Sequence, residues 1–510
     1  MVFFRPVEYF QQKTQGLRSS STPMSEFNSF STNSKFKSWL KDYFPKFTVV
    51  KGGQIGPDER PPWAELVLLG LQHVLAMFGS TVFAPLVCGF DSNTAIFCSG
   101  IGTILFFIIT GGRVPSYLGS SFAFIGAITA ATGYKYTPGA GLNQNIPLAQ
   151  GGIIVAGAVY ALVALIVLLI GYRWVEFLMP PVVTGAVVMA IGLNLAGTAV
   201  GQAASNSFDA WMAFTTVLAV AFFSVYGPGF TRRVPILLGA IVGYVVNLIC
   251  GYAGAGPKIV YTGVSNAKWV GIPLFHTPQF EAHSISLITP VVIILVAENI
   301  GHIKAVTAMT GRNIDQYIGR AFMGDAIATI LAGSLGSLGV TTYAENIGVM
   351  AVTKIFSTLV FITAAIVAVI IGFLPKFGAI INTIPAGVFG GLSIVLFGLI
   401  AVSGGRIWIE NKIDFTNPRN LLTAGISVLL GTGMTGDLKV TFGPVAFDGI
   451  GVSTISAVIL YQILRGYPQN TAANGTEGST SYAQEKLEES AEYELYDLHR
   501  ETPIRHHRTD

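Results

Sequence analysis

Three acidic side chains lie deep inside apolar stretches, and they are the residues with chemistry to offer. Glu298 sits in VVIILVAENIGHIKA (Val291–Ala305), with His302 four residues on, one helical turn later on the same face. Glu345 sits in GVTTYAENIGVMAVTK (Gly339–Lys354), where Val340–Tyr343 reads as a short extended piece and Ile347–Val352 as a short helix after it. Asp325 is the third, in GRAFMGDAIATILAG. A carboxyl group within an apolar membrane segment marks a binding site or an ion path by default, because an unpaired charge is costly there. Removal from water disfavours the charged form, so such a group is a candidate proton carrier near neutral pH. His302 is spaced to hydrogen-bond Glu298 and relay that proton. The plainer alternatives are a histidine satisfied within helix packing and acids bonded to a neighbouring helix, the latter weighing most for Asp325. Asp91, Glu176 and Asp448 lie near expected span ends and read as solvated edge charges.

A facing piece comes from the other half of the chain. Ser120-Ser121-Phe122 follows Val114–Tyr117 and opens a second short helix, whose first N–H groups suit a carbonyl oxygen. Phe122 can stack on a flat ring, for about 1 kcal/mol beyond area burial. One helix start and two acids suit a neutral planar ligand with both N–H donors and C=O acceptors. They do not suit an anion, which two buried acids would repel.

The elements that must position these residues are membrane helices. Hydrophobic residues make up 51% of the 510, charged residues only 11%, and mean hydropathy is +0.60. That is far from the roughly 25% charged of a soluble domain, so the chain reads as an all-α polytopic membrane protein. A net charge of +3 implies no nucleic-acid partner. Cys88, Cys98 and Cys250 have no metal-ligand spacing and read as packing residues.

From Trp63 onward about fourteen spans of roughly 15–25 residues are expected. Two are short, around Phe124 and Val349, each a strand followed by a half-helix. With the N-terminus inside, Arg113, Arg173, Arg232, Arg233, Lys304, Arg312, Lys354, Arg406, Lys412, Arg419 and Arg465 fall on the cytoplasmic side. Lys135, Lys258, Lys268, Lys376 and Lys439 fall outside, as the positive-inside rule asks. Both termini are then cytoplasmic. Residues 1–60 read as a cytoplasmic tail with no secretory signal, although their basic character also fits a mitochondrial presequence. Residues 467–510, rich in Glu, Ser, Thr and His, read as a disordered cytoplasmic tail.

The halves repeat. Val114-Pro115-Ser116-Tyr117 matches Val340-Thr341-Thr342-Tyr343 at an offset of 226 residues, and the same offset carries Gln72 onto Glu298. Seven spans per half is odd, so the second half enters from the opposite face. That gives a 7+7 inverted repeat with paired interrupted segments, a transporter pattern in which the breaks form the substrate site.

AENIGVMAVTK (Ala344–Lys354) resembles the signature of the nucleobase–ascorbate transporter family, an acid or amide followed by N-x-G and a later T-[K/R]; here these are Glu345, Asn346, Gly348, Thr353 and Lys354. LGSSFAF (Leu118–Phe124), LQH (Leu71–His73) and VAENIGH (Val296–His302) are also similar to that family, over about residues 61–465. Glu345, where purine-type members usually carry Gln, looks like the uracil and pyrimidine permease branch. The resemblance implies proton-coupled nucleobase uptake at the plasma membrane, with no cofactor beyond the proton gradient. It implies a transporter domain over residues 61–466, divided into a substrate-holding core (61–173 and 286–374) and a gate (174–254 and 375–466) that makes homodimer contacts. Carried over by position, Glu298 and Glu345 hold the pyrimidine edge, Phe122 and Tyr343 line the ring, and Ser121, Ala344 and Asn346 complete the substrate set. Glu298, His302 and Asp325 serve proton coupling. Ala344 stands where the uracil permease has Gly, and Asp325 resembles purine-transporting members. Substrate range therefore stays open: uracil first, then thymine, xanthine or uric acid.

Two other classes fit the residues less well. An anion transporter of the same inverted-repeat architecture, as in the sulfate-permease group, wants a basic or neutral residue where Glu298 and Glu345 stand. A membrane enzyme or receptor finds no metal spacing, nucleophile–base pair or phosphate loop to support it.

Overall fold

A backbone in lipid must satisfy its own N–H and C=O groups, and the apolar runs do so as helices. The computed structural model describes residues 43–466, except residues 135, 137–140, 229–230, 436–437, 439 and 443–444. The expectations for residues 1–42 and 467–510 lie outside the described residues.

Two short strands, β1 (Thr48–Val49) and β2 (Glu59–Arg60), precede the first long helix. Then come α1 (Trp63–Cys88), α2 (Ser92–Thr110), the strand β3 (Leu118–Ser120), the half-helix α3 (Ala123–Thr132), α4 (Ile146–Ile170), α5 (Arg173–Leu178), α6 (Pro181–Asn194), α7 (Ala196–Ala203), α8 (Ser207–Tyr226) and α9 (Pro235–Tyr252). The second half holds α10 (Ala282–Ile288), α11 (Val291–Thr310), α12 (Ile318–Leu335), the strand β4 (Val340–Thr342), the half-helix α13 (Ala344–Thr353), α14 (Thr358–Gly372), α15 (Pro375–Ile381), α16 (Ala386–Glu410), α17 (Pro418–Gly433) and α18 (Gly449–Ile463).

Among the described residues ten helices are long and apolar enough to cross a membrane, and α14 with α15, bent by 87°, makes an eleventh. Of the rest, α17 has 16 residues and the half-helices α3 and α13 have 10 each. Helix ends follow local chemistry. Asp91 caps α2 by accepting the Thr94 N–H at 2.8 Å, and α1 and α2 stop at Gly89 and Gly111, both in the left-handed region that glycine enters without penalty.

Packing falls into two groups. In one, α12 lies against α4 and α2, and α14 lies against α2 and α1. In the other, α16 packs on α6 and α8, and α17 on α18 and α6. Helix α11 touches members of both, meeting α4 and α12 on one side and α6 and α18 on the other.

Two expectations need correction. Residues 43–60 are not free tail: Ile55, 1% exposed, bonds Lys354 O and Phe356 N at 3.1 and 2.8 Å, and Arg312 pairs with Asp58. The strap pairs there because α13 ends at Lys354 in the left-handed region, which leaves backbone groups beyond it open to a neighbour. The first-half strand also starts at Leu118, four residues later than the match with Val340–Tyr343 placed it. Helices α2 and α12 keep the 226-residue offset, starting at Ser92 and Ile318; the connection from helix to strand is shorter in the second half, which shifts the strands.

Candidate functional site

Strands β3 and β4 pair antiparallel at the centre of the first helix group, Leu118 opposite Thr342, Gly119 opposite Thr341 and Ser120 opposite Val340. Two three-residue strands would not hold alone, and threonines pin them. Thr103 of α2 accepts the Leu118 N–H at 2.9 Å; Thr329 of α12 accepts the Val340 N–H at 3.3 Å and donates to the Val340 carbonyl at 2.9 Å. These two threonines also stand 226 residues apart, so each half braces its own strand in the same way. Tyr343 closes the cradle. Its hydroxyl donates to Ser120 O at 2.9 Å and accepts from Thr81 at 3.2 Å, and its ring covers Gly119, where a Cβ would come within 2.4 Å of it.

The acids gather beside this cradle. Helix α13 begins at Ala344, earlier than the sequence suggests, so Glu345 lies in its first turn, where the helix dipole favours a negative group. Ser80 of α1 donates a hydrogen bond to Glu345 Oε1. Glu298, half-buried on α11, is close enough to Glu345 and Asp325 for their charges to interact. Asp325 is fully buried and accepts from Asn299 Nδ2 at 2.5 Å and from Thr341 Oγ1 at 3.3 Å, which locks α12 to α11 and β4. No lysine or arginine pairs with any of these three carboxyls among the described residues.

His302 Nδ1 bonds Thr342 Oγ1 at 2.8 Å, so its hydrogen bond ties α11 to β4 instead of reaching Glu298. Ser121 is fully buried; its N–H donates to Gly339 O at 2.9 Å and its hydroxyl accepts the Ala123 N–H at 3.3 Å, which makes it a strand and helix-start residue. Asn346 is also fully buried and its amide lies 2.9 Å from His73 Nδ1, donating to His73 O at 3.2 Å. It fastens α13 to α1. Ala344 is exposed at the helix start, where its N–H has no acceptor within the helix. Phe122 is half-buried in a group of rings, edge-on to Phe397 at 6.2 Å and tilted to Phe83 at 6.3 Å. Phe83 in turn stacks on Phe389 at 4.5 Å.

Beyond these rings lies a cavity of about 590 Å³, lined by Val87, Ile125, Tyr136, Gln202, Ala386 and Asp448 among others. Along α1 the order is Ser80 on Glu345, then Phe83, then Val87 at the cavity, so about 10 Å of helix rise separates the acid from the open space. Sequence reading missed Ser80, Thr81 and Phe83. The only signal was a Ser-Thr pair in an apolar helix, which close helix packing also uses.

A model of a permease family matches residues 64–439. The chain belongs to that family, the nucleobase–ascorbate transporters. The permease is 53% identical over 420 residues to an Escherichia coli K12 protein provisionally named a pyrimidine permease, RutG, covering 82% of this chain and 94% of that one. It is 39% identical over 425 residues to the uracil permease of Bacillus caldolyticus, covering 81% and 94%. Among solved structures it resembles the murine Slc26a9 anion transporter in its inward-facing state, with TM-score 0.60, 11% identity and 91% and 76% coverage. The transmembrane domain of the cyanobacterial bicarbonate transporter BicA gives TM-score 0.56, 14% identity and 77% and 96% coverage. At such identities the permease shares a fold with these two and nothing more is carried over. It is a multi-pass membrane protein and a transporter, not an enzyme.

Proposed function

We propose that this permease takes up nucleobases, uracil first, together with protons by alternating access. The observation that carries the reading is the pair of half-buried carboxyls, Glu298 and Glu345, beside a broken-helix cradle with Phe122 and with no cation to neutralise them among the described residues. Ionised together in a dry site they would repel strongly, so the site has reason to hold exchangeable protons. A base such as uracil brings N–H donors and C=O acceptors on one flat ring. Glu298 and Glu345 hold that edge, the Ala344 N–H meets a carbonyl oxygen, and Phe122 covers the ring. Tyr343 acts as a positioning residue, as do His302 and Asp325 through Thr342 and Thr341. The names of relatives, pyrimidine and uracil permeases, support the same substrate class.

The wider layout belongs to the same proposal. Fourteen spans run as a 7+7 inverted repeat, with both termini in the cytoplasm and the chain in the plasma membrane as a homodimer. Residues 61–173 and 286–374 form the core that carries substrate; residues 174–254 and 375–466 form the gate. What supports this is the division of helix packing into two groups and the antiparallel pairing of two broken segments. A purine reading, xanthine or uric acid, is the second choice and rests on Asp325. An anion reading has the shared fold behind it, but three carboxyls stand where it needs positive charge.

The test is radiolabelled uracil uptake in cells lacking their own permeases, competed with thymine, xanthine and uric acid. The expected result is uracil uptake collapsed by a protonophore and inhibited mainly by thymine. Xanthine dominating the competition would move the reading to purines, and no uptake of any base by protein at the cell surface would sink it.

A further inference from the structure

A second, smaller cavity of about 260 Å³ opens between Val163 of α4, Val296 of α11, Trp174 and Met179 on and just after α5, and Ile455 and Val458 of α18. Its walls are hydrocarbon and an indole. Water would need two to four polar partners there and finds one, the Trp174 indole N–H, among the side chains that line it. The helices around it cross a membrane, so hydrocarbon is the available filling.

One end of this groove is charged. Arg173 precedes Trp174 at the foot of α4, and Arg465 follows α18 with its guanidinium 3.6 Å over the ring of Phe177 in α5. Gln462 ties the end of α18 to the same short helix by donating to Phe177 O at 2.8 Å. Both arginines are exposed, and no described carboxylate forms an ion pair with either, since nearby Glu176 pairs with Lys304 at 2.5 Å. The Trp174 indole N–H is buried with no acceptor among the described residues. A hydrocarbon slot, an indole donor near a span end and two cations beside it with no carboxylate partner among the described residues match, in order, an acyl chain, an ester carbonyl and a phosphate.

We infer that the groove between α4, α5, α11 and α18 binds one acyl chain of an anionic phospholipid, with its head group between Arg173 and Arg465. The two walls come from the two helix groups, so the lipid fills the seam between them.

Trp174 is its own reporter. The full-length protein is reconstituted in phosphatidylcholine vesicles carrying acyl-brominated phosphatidylglycerol or acyl-brominated phosphatidylcholine, and the Trp174 signal is taken as the difference from Trp174→Phe. The expected result is quenching at a several-fold lower fraction of the brominated phosphatidylglycerol. Val458→Phe, or Val163→Phe from the opposite wall should the first fail to fold, should abolish that quenching. Arg173→Gln with Arg465→Gln should keep the quenching and remove the head-group preference. Equal quenching by both lipids would overturn the anionic assignment. Absence of any Trp174 quenching, as a second copy of the chain seated there would give, would overturn the lipid site, as would quenching unmoved by a folded filling variant.

Discussion

Ser80→Ala offers the sharpest probe of the site, because it changes one atom that touches a single acid. In the structure the Ser80 hydroxyl donates to Glu345 Oε1 across the gap between α1 and α13. A hydrogen bond to a charged group contributes about 1.5–3 kcal/mol, and a neutral pair about 0.5–1.5 kcal/mol. Without the donor, Glu345 keeps its place in the first turn of α13 but loses the bond that fixes its carboxyl orientation. At 1.4 kcal/mol per tenfold, uracil KM should rise about 10- to 100-fold if Glu345 is ionised when substrate binds, and only about 2- to 10-fold if it is protonated. The assay is initial-rate uptake of labelled uracil at matched surface expression, with Ser80→Thr as the rescue that returns the hydroxyl. A KM equal to wild type in Ser80→Ala, with or without a lower maximal rate, would refute the claim that Ser80 orients Glu345 for substrate.

Two more outcomes follow from the same geometry. Glu298→Gln keeps the shape of the side chain and removes its exchangeable proton, so uracil should still exchange across the membrane while pH-driven accumulation falls to near zero; accumulation at the wild-type ratio would take Glu298 out of the proton path. Gly119→Ala drives a methyl to within 2.4 Å of the Tyr343 ring, an overpacking that should cost about 1–3 kcal/mol and lower both thermal stability and uptake, and an unshifted melting curve of the purified variant would mean the cradle yields more easily than its hydrogen bonds indicate.

Much of this arrangement was legible because lipid leaves few options. An apolar run must be a helix, and a carboxyl inside one must be there for a reason. Glu298 and Glu345 could be named from that alone. The 226-residue offset was legible too, since the helices before the strands keep it; the strand itself was misread by four residues because Val114–Tyr117 looks like Val340–Tyr343 while the connection lengths differ. What could not be read was partner choice. Ser80, Thr103 and Thr329 are small polar residues of a kind found throughout membrane helices, and only the fold shows which of them meets a strand or an acid. His302 went to Thr342 instead of Glu298 for a related reason: four residues apart permits a contact along one helix, but a neighbouring strand competes for the same nitrogen.

The placement of Asn346 is the most instructive. The pentapeptide AENIG occurs twice, at Ala297–Gly301 and at Ala344–Gly348. In both copies the Glu is half-buried and the following Asn is fully buried. Neighbouring residues on a helix point about 100° apart, so the Asn cannot share the direction of the Glu. Asn299 bonds Asp325 on α12 and Asn346 bonds His73 on α1, which fixes the rotation of α11 and α13 about their own axes. With both rotations fixed, both carboxyls stay on a half-buried side of their helices. The repeated motif thus works as a unit, its Asn holding the helix by a bond to a neighbour so that the Glu before it stays half-buried.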